Sequence, residues 1–461
     1  MPKLDPKTDD FRRAGHKLID WVADYFDNIE SYDVLSPVKP GDIERQFPAE
    51  PSSKGRSYDE LIADFEKKII PGITHWNHPA FFAYFSITGS QAGVLGELLT
   101  AALNCNGMVW RTSPALTELE AVALRWLRDS LGLPENLFGI INDTASINSF
   151  LGLAAAREAM APEIRLRGFT AAPALRVYCS EHAHSSIEKA ALALGFGMSG
   201  VVKIASDDDY RMHPQALEEA IARDRRDGAV PCAISATLGT TSTASVDPLP
   251  QIAAIAEREK LWLHVDAAYA GPATIAPEYR WLWKGIERAD SIVVNPHKWF
   301  FTPIDCSVLY TRHPETLRNA FSLAEVPAYL TLTDNAEVNY MDYGLQLGRR
   351  FRALKLWMVM EHYGLEHLRA VIRDQIGFAQ RLAAELQKRP DIELMAPQSF
   401  SVVVFRRKGS DEENAALLDR INASGKLFVS HTKLKGKYCI RVAIGNGATE
   451  WRHVAQILEF L

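Results

Sequence analysis

The chain has few cysteines for its length, and they are far apart. Five thiols lie at positions 105, 179, 232, 306 and 439 of 461 residues, and no C-x-x-C pair occurs. Disulfide frameworks and structural zinc sites use even or closely spaced sets of cysteines. The pattern therefore favours reduced thiols in a cytoplasmic protein.

Long apolar runs and a strong net charge are also missing. No stretch of about 18 apolar residues occurs, although a membrane-spanning helix needs one of that length. The opening MPKLDPKTDD lacks the apolar centre of a secretory signal. The net charge of −6 gives no reason to propose nucleic acid or an anionic membrane as a partner. We therefore expect a cytoplasmic protein with neither kind of partner.

The composition is that of a globular protein, with 47% hydrophobic and 23% charged residues. The length predicts two or three subdomains rather than one small core. Helical periodicity covers 11–29, 348–363 and 365–387, while strands and helices alternate from about 138 to 310. This alternation predicts an α/β fold with a mostly parallel sheet covered by helices. After Pro390 the pattern is that of a small α+β domain.

A short apolar run at 291–294 ends in polar residues, among them Lys298. Pro296 cannot continue a central strand, so Lys298 should follow the carboxyl end of a buried strand. A second apolar strand ends at Asp266. Open α/β sheets bind ligands at this edge, so we expect the lysine and the aspartate to face one crevice.

This pair of residues indicates a specific chemistry. A lysine in a dry pocket can form a Schiff base with an aldehyde, and a buried carboxylate can keep a pyridine nitrogen protonated. Together, Lys298 and Asp266 would describe a site for pyridoxal 5'-phosphate (PLP). The residues alone leave a simpler alternative open, namely a solvated lysine and a helix-capping aspartate.

A helix at 147–160 follows a short strand at 138–141 through Asn-Asp-Thr-Ala-Ser. Backbone N–H groups at such a helix N-terminus favour a phosphate, and the hydroxyls of Thr144 and Ser146 can add donors. A simple N-cap is the alternative interpretation. Asp143 is unfavourable for phosphate binding unless its charge points away.

Two histidines, His182 and His184, follow the strand at 175–179. Their spacing could suggest a metal site, but a third ligand in a convincing pattern is missing. We therefore predict no metal. His184 is the candidate to lie on a ring cofactor or to hold a carboxylate.

Aromatic residues are dense between 74 and 90, where Pro79 and Gly89 interrupt any regular pattern. Such a segment fits either a hydrophobic core or the wall of a pocket for aromatic ligands. The later segment 322–343 has no clear period and contains Tyr329. It is predicted to be a loop over the site.

Seven motifs, in order along the whole chain, resemble those of the group II PLP-dependent amino acid decarboxylases, most closely the aromatic-L-amino-acid decarboxylase branch. The motifs are Trp76-x-x-Pro79-x-Phe81-Phe82-Ala-Tyr84-Phe85, Ser113-Pro114-Ala-x-Thr117-Glu118-Leu119-Glu120, His184-Ser185-Ser186, Thr237-Leu-Gly-Thr-Thr241, His264-Val-Asp266-Ala-Ala-Tyr269-Ala-Gly271, Asn295-Pro-His297-Lys298-Trp299 and Gly348-Arg349-Arg350.

The resemblance implies PLP fold type I, a homodimer with active sites at the subunit interface, and a role for each motif residue. Lys298 would form the Schiff base, Asp266 would pair with the pyridine nitrogen, His184 would stack on the ring, and Thr241 would lie near the ring oxygen. Thr144, Ala145, Ser146, Asn295 and His297 would surround the phosphate; Trp76, Tyr84 and Phe85 would line the substrate pocket; and Tyr329 would protonate the substrate carbon. The domains would be 1–85 (N-terminal helical and dimerisation segment), 86–365 (PLP-binding) and 366–461 (C-terminal).

The implied activity is decarboxylation of an aromatic L-amino acid to an arylalkylamine and CO₂. Alternatives are an aromatic aldehyde synthase, a decarboxylase of acidic amino acids, a PLP-fold protein without catalysis and a metallohydrolase using His182 and His184. Tyr329 favours the amine product, since aldehyde synthases typically have phenylalanine there. The aromatic segment offers no cation for an acidic side chain. The chain departs from the animal and plant pattern at Asp143, where many members have glycine.

Overall fold

A computed structural model describes residues 8–171, 173–322 and 338–461. Tyr329 lies outside these ranges. Within them the strands are β1 (Phe81–Phe82), β2 (Phe138–Asn142), β3 (Leu175–Ser180), β4 (Val201–Ile204), β5 (Val230–Thr237), β6 (Trp262–Asp266), β7 (Ser291–Val294), β8 (Ser307–Thr311), β9 (Ile392–Leu394), β10 (Val402–Arg407), β11 (Phe428–Leu434) and β12 (Lys437–Ala443).

The α-helices of the described residues are α1 (Thr8–Asp27), α2 (Tyr58–Asp64), α3 (Gln91–Leu103), α4 (Pro114–Leu131), α5 (Ala145–Met160), α6 (Glu163–Arg167), α7 (Ser186–Ala193), α8 (Pro214–Arg226), α9 (Leu249–Glu259), α10 (Pro296–Trp299), α11 (Pro314–Phe321), α12 (Arg352–Gln387), α13 (Asp411–Asn422) and α14 (Trp451–Ala455). None of these helices has the length and hydropathy needed to cross a membrane.

The large sheet has the strand order β2-β8-β7-β6-β5-β3-β4. All neighbouring pairs from β7 to β4 are parallel, and β8 is antiparallel to both of its neighbours, β2 and β7. This confirms the mostly parallel α/β sheet. The reversal at β8 has a physical reason, because only the short helix α10 and a turn separate it from β7, and parallel neighbours need a longer crossover.

The register of β5, β6 and β7 brings the carboxyl ends of these strands, where the polar residues lie, next to one another. Thr237 of β5 lies opposite Asp266 of β6, and Asp266 lies opposite Val293 of β7. Strands β6 and β7 are buried along their whole length, as expected for the centre of a sheet covered on both faces. The residues that follow β7 therefore begin beside the carboxylate at the end of β6.

A second sheet has the order β1-β11-β12-β10-β9. Its β10, β11 and β12 form antiparallel pairs, whereas β1 joins the edge in parallel with β11. The aromatic segment is thus attached through Phe81 and Phe82, both fully buried, to a sheet built from the C-terminal part of the chain.

The two helices predicted at 348–363 and 365–387 form one element, α12, with a break at Gly364. The break has a physical cause, because Gly364 takes φ 67° and ψ 158°, a conformation that glycine adopts without strain. The predicted start was four residues early, since Gly348 to Phe351 stay outside the helix and Arg352 is its first residue.

Helices α3 and α12 approach closely at Gly96. A Cβ atom on Gly96 would lie 2.6 Å from the Cα and 2.9 Å from the Cβ of Lys355, a fully buried residue that pairs with Glu97. Only glycine allows this distance between the two backbones.

We predict that Gly96→Ala lowers the free energy of unfolding by about 1–3 kcal/mol, because the new methyl overlaps the backbone of α12. The matched control is Gly377→Ala in α12, where nothing lies within 4 Å of the added Cβ. That change should be neutral or stabilise by up to about 1 kcal/mol. Urea unfolding midpoints measure both, and an equal effect of the two substitutions would contradict the close approach.

Candidate active site

A cavity of about 190 Å³ lies at the carboxyl ends of β5, β6 and β7. It contains every residue predicted to bind the cofactor. The lining residues are Phe85, Thr144, Ala145, Ser146, His184, Thr237, Gly239, Thr241, Asp266, Ala268, Tyr269, Asn295, His297 and Lys298.

Lys298 lies in the one-turn helix α10 that follows β7. Burial lowers the pKa of Lys298, the carboxylate of Asp266 opposes that shift, and the guanidinium of Arg441 adds to it. The Nζ atom lies 5.2 Å from the centre of the Phe85 ring. A lowered pKa increases the fraction of neutral amine, which is the nucleophilic form.

Asp266 is the last residue of β6 and is only 7% exposed. Its Oδ1 accepts a hydrogen bond from the backbone N–H of Ala268 at 3.0 Å, which fixes the carboxylate toward the cavity edge. A buried carboxylate of this kind is suited to a protonated heterocyclic nitrogen. Beside it, the Oγ1 of Thr237 lines the cavity and has no hydrogen-bond partner.

The His184 ring has a defined tautomer. Its Nδ1 accepts the backbone N–H of Ser186 at 3.2 Å and lies 2.9 Å from the Ser186 hydroxyl, so the neutral ring carries its proton on Nε2. Burial lowers the pKa of His184, although the Asp266 carboxylate opposes the shift. His182 instead packs edge-on against Tyr210, and the described residues contain no cluster of three or more His, Cys, Asp or Glu that could hold a metal.

A set of donors surrounds the N-terminus of α5. Thr144 is the N-cap of this helix. Ala145 and Ser146 line the cavity, and their backbone N–H groups belong to the first turn, which has no partners within the helix. On the opposite side, Nδ1 of His297 accepts the Cys306 N–H at 3.0 Å, which leaves Nε2–H as a donor. Burial lowers the pKa of His297 to about 3, so this ring stays neutral.

Asn295 completes this donor set through a buried polar chain. Its Oδ1 accepts the Ser307 hydroxyl at 2.5 Å, and Ser307 accepts the Asn148 amide at 2.7 Å. Asn142 donates in turn to Oδ1 of Asn148 at 2.7 Å. Because its oxygen is held by Ser307, Asn295 presents its amide nitrogen as a donor.

Aromatic rings form a stack at the other side of the cavity. Phe85 stacks on Tyr269 with ring centres 3.8 Å apart, and Tyr269 stacks on Trp299 at 5.0 Å. Of the predicted substrate-pocket residues, the structure brings Phe85 to the cavity wall. It does not bring Trp76 and Tyr84 there: their rings stack on each other at 5.8 Å, and Tyr84 is exposed.

Arg441 in β12 was not identified from the sequence. Its side chain is buried, its Nη1 donates to the Tyr84 carbonyl, and its guanidinium lies 4.5 Å from the centre of the Phe85 ring. Its Nε and Nη2 have no partner, and burial lowers its pKa to about 10. The available signal was an arginine in a strand of otherwise apolar, buried residues at 439–443.

These features define a class of site. Lys298 fits the aldehyde of PLP, the carboxylate of Asp266 fits the pyridine nitrogen, and the neutral ring of His184 fits the cofactor ring. The donors of Thr144, Ala145, Ser146, Asn295 and His297, which we call the anion cradle, fit the phosphate. The partnerless Thr237 hydroxyl is a further group that such a ligand would satisfy. The class is therefore a PLP-binding α/β protein.

Comparison with known proteins agrees with this class. The family described as pyridoxal-dependent decarboxylase conserved domain matches residues 40–408. Phenylacetaldehyde synthase of Arabidopsis thaliana is 40% identical over 98% of this chain and 95% of its own length. Tyrosine decarboxylase 4 of Petroselinum crispum is 40% identical over 100% of this chain and 94% of its own length. A crystal structure of Oryza sativa TDC with PLP and tryptamine superposes with a TM-score of 0.95 at 36% identity, covering 99% of this chain and 98% of that one.

The chain belongs to the pyridoxal-dependent decarboxylase family. The resemblance found in the sequence motifs is confirmed, as are the PLP cofactor and fold type I.

Three buried histidines, of which His297 lines the cavity, make the stability of the fold depend on pH. Burial lowers the pKa of His297 to about 3 and the pKa values of His78 and His264 to about 4. The unfolded chain therefore binds protons between about pH 6.5 and 4 that the folded chain does not, so stability falls as pH falls through this range. Burial raises the pKa of Asp247 from 3.8 to about 6. Between these two pH values the folded chain binds a proton that the unfolded chain does not, so this group increases stability as pH falls.

We predict that His78→Asn reduces the loss of stability between pH 7.5 and 5.5 by about 1.4 kcal/mol in total, because the unfolded chain takes up one proton on this histidine in that range and the folded chain does not. The asparagine Oδ1 can replace Nδ1 as acceptor of the Ala80 N–H, which lies 3.0 Å away. Urea unfolding at pH 7.5 and 5.5 measures the slope. His16→Asn on the exposed face of α1 is the control and should leave it unchanged. A His78→Asn slope equal to that of the unmodified chain would refute this assignment.

Proposed function

We propose that this protein decarboxylates aromatic L-amino acids to arylalkylamines and CO₂. The observation that carries the proposal is the single cavity in which Lys298, Asp266 and the anion cradle face the aromatic stack of Phe85 and Tyr269. The relatives include a tyrosine decarboxylase at 40% identity. Tyrosine or DOPA, phenylalanine, and tryptophan or 5-hydroxytryptophan are the candidate substrates.

We assign each site residue a role toward the cofactor. Lys298 would bind the aldehyde carbon, Asp266 would keep the pyridine nitrogen protonated, His184 would stack on the ring, and Thr241 would lie near the ring oxygen. Thr144, Ala145, Ser146, Asn295 and His297 would hold the phosphate. Phe85 lines the cavity, whereas Trp76 and Tyr84 lie outside it and are assigned to the substrate pocket from the resemblance alone. Lys298, Tyr329, His184 and Asp266 are the proposed catalytic set.

When bound, PLP supplies an electron sink for the bond that breaks at the substrate Cα. The side chains of the protein control protonation, exclude water and deliver a proton. Asp266 holds the proton on the ring nitrogen, which makes the sink stronger. The stack of Phe85, Tyr269 and Trp299 excludes water, so a carboxylate is disfavoured there relative to neutral CO₂. Tyr329 then delivers a proton to Cα.

Arg441 is the candidate to orient the substrate carboxylate. Two of its donor nitrogens are buried without a partner beside Phe85, and it is close enough to Lys298 to lower the lysine pKa. A carboxylate in front of this guanidinium would have the Cα–carboxylate bond held in one direction, which favours reaction by positioning.

Arg441 also bears on the acidic-substrate alternative. The aromatic segment has no cation, but the C-terminal sheet brings one to its edge. Every amino acid carries an α-carboxylate, so one guanidinium serves glutamate and tyrosine alike. An acidic side chain would need a second cation, and the cavity lining offers only Lys298 and two histidines held neutral by burial.

Aldehyde synthesis is the second candidate, because a phenylacetaldehyde synthase is among the relatives at 40% identity. Tyr329 favours the amine, since a phenol at that position can donate a proton to Cα. A chain without catalysis would bind PLP but release no product.

We also propose a cytoplasmic homodimer with domains 1–85, 86–365 and 366–461. Leu95, Leu98, Leu99 and Leu103 form an exposed apolar face on α3, which a second subunit would cover. The resemblance also implies that the active sites lie at this subunit interface.

We predict that the PLP-loaded protein releases CO₂ and amine from at least one of phenylalanine, tyrosine, DOPA, tryptophan and 5-hydroxytryptophan, and not from glutamate or aspartate. Product chromatography, with aldehyde and hydrogen peroxide measured in the same samples, checks this. Amine from none of the five would refute the function, and aldehyde with peroxide as the main product would favour the second candidate.

Arg441→Gln serves as a variant within the same panel. It should raise KM for every accepted substrate by about tenfold, the loss expected for a charge-assisted hydrogen bond. The inhibition constant of the product amine, which has no carboxylate, should stay unchanged. Equal losses for substrate and amine would remove Arg441 from carboxylate recognition.

A further inference from the structure

Asp143 occupies donors of the anion cradle. Its Oδ1 accepts the backbone N–H of Thr144 at 2.5 Å and the Thr144 hydroxyl at 3.1 Å. The same hydroxyl oxygen accepts the N–H of Ile147 at 3.4 Å, as an N-cap does. Both donors of Thr144 are therefore already bonded to a carboxylate of the chain itself.

A phosphate in this cradle would meet the same groups. It would carry up to two negative charges and would seek N–H and O–H donors at the N-terminus of α5. The donors that Asp143 does not hold are the amides of Ala145 and Ser146, the Ser146 hydroxyl, and the side chains of Asn295 and His297. To use Thr144 as well, a phosphate must displace the carboxylate.

The positively charged side chain of Arg352 is close enough to interact electrostatically with Asp143. Arg352 is bound to Asp305, with Nε to Oδ1 at 2.9 Å and Nη2 to Oδ2 at 3.3 Å. Although burial acts against its charge, the bonds from Asp305 and the negative charge of Asp143 raise the pKa of Arg352. The guanidinium of Arg352 is thus near enough to the carboxylate of Asp143 for the two charges to attract each other.

We propose that Asp143 is an internal competitor of the cofactor phosphate: its carboxylate holds the two Thr144 donors when PLP is absent, and PLP must displace it toward Arg352 to bind. The competition weakens PLP binding and speeds its release. It acts on the phosphate alone, so pyridoxal, which has no phosphate, binds without displacing the carboxylate. The proposal depends on the PLP cofactor and is independent of which amino acid is the substrate.

The test is equilibrium binding of PLP and of pyridoxal to the cofactor-free full chain, followed by absorbance in the visible region. We expect Asp143→Asn and Asp143→Gly to bind PLP about tenfold more tightly, because the like charge is removed. Pyridoxal binding should be unchanged in both variants. The inhibition constant of inorganic phosphate against PLP should be lower in the variants than in the unmodified chain.

Asp227→Asn is the matched control, since it removes one negative charge from the exposed C-terminus of α8, away from the cradle. It should leave all three affinities unchanged. Weaker or unchanged PLP binding in the Asp143 variants would overturn the proposal and make Asp143 a group that orients Thr144 or has no role. Equal tightening for PLP and pyridoxal would also overturn it. If Asp143→Gly does not fold, the isosteric Asp143→Asn carries the test alone.

Discussion

The structure depends on holding the amine of Lys298 in a buried position beside the carboxylate of Asp266. Burial lowers the pKa of this lysine and Asp266 raises it, so the reactivity of the amine is set by the balance of the two. The register of the sheet produces that balance, since Asp266 lies opposite Val293, one residue before the end of the next strand. A shift of one residue would turn the carboxylate to the other face of the sheet.

The sheet of β1, β11, β12, β10 and β9 positions two groups near Lys298 that the large sheet does not carry, namely Arg441 and Phe85. Strand β12 places the guanidinium of Arg441 against the ring of Phe85, and β1 anchors the aromatic segment so that Phe85 stacks on Tyr269. The ring of Phe85 thus lies near two cations, the guanidinium of Arg441 from the C-terminal sheet at 4.5 Å and Nζ of Lys298, which follows β7 of the large sheet, at 5.2 Å. Relative movement of the two sheets would change both distances, which ties the electrostatics of the site to their packing.

Much of this site could be predicted because local sequence determines it. An apolar run followed by a polar residue marks the end of a buried strand, and this pattern alone predicts that Lys298 and Asp266 lie at one edge of the sheet. Side-chain directions could not be predicted in the same way. Aromatic density at 74–90 does not tell which rings face the cavity, and Arg441 lies far along the chain in a strand whose partner is set by tertiary packing. The bonds of Asp143 to Thr144 depend on rotamers that no periodicity encodes.

We propose that Lys298 is the amine that binds PLP. The most direct measurement is borohydride reduction of the PLP-loaded protein, followed by peptide mass spectrometry. We expect bleaching of the visible band and a pyridoxyl mass on the peptide that contains Lys298, with none on Lys355, a buried lysine that is paired with Glu97. Label on another lysine, or a chain that stays unlabelled while a visible band is present, would contradict it.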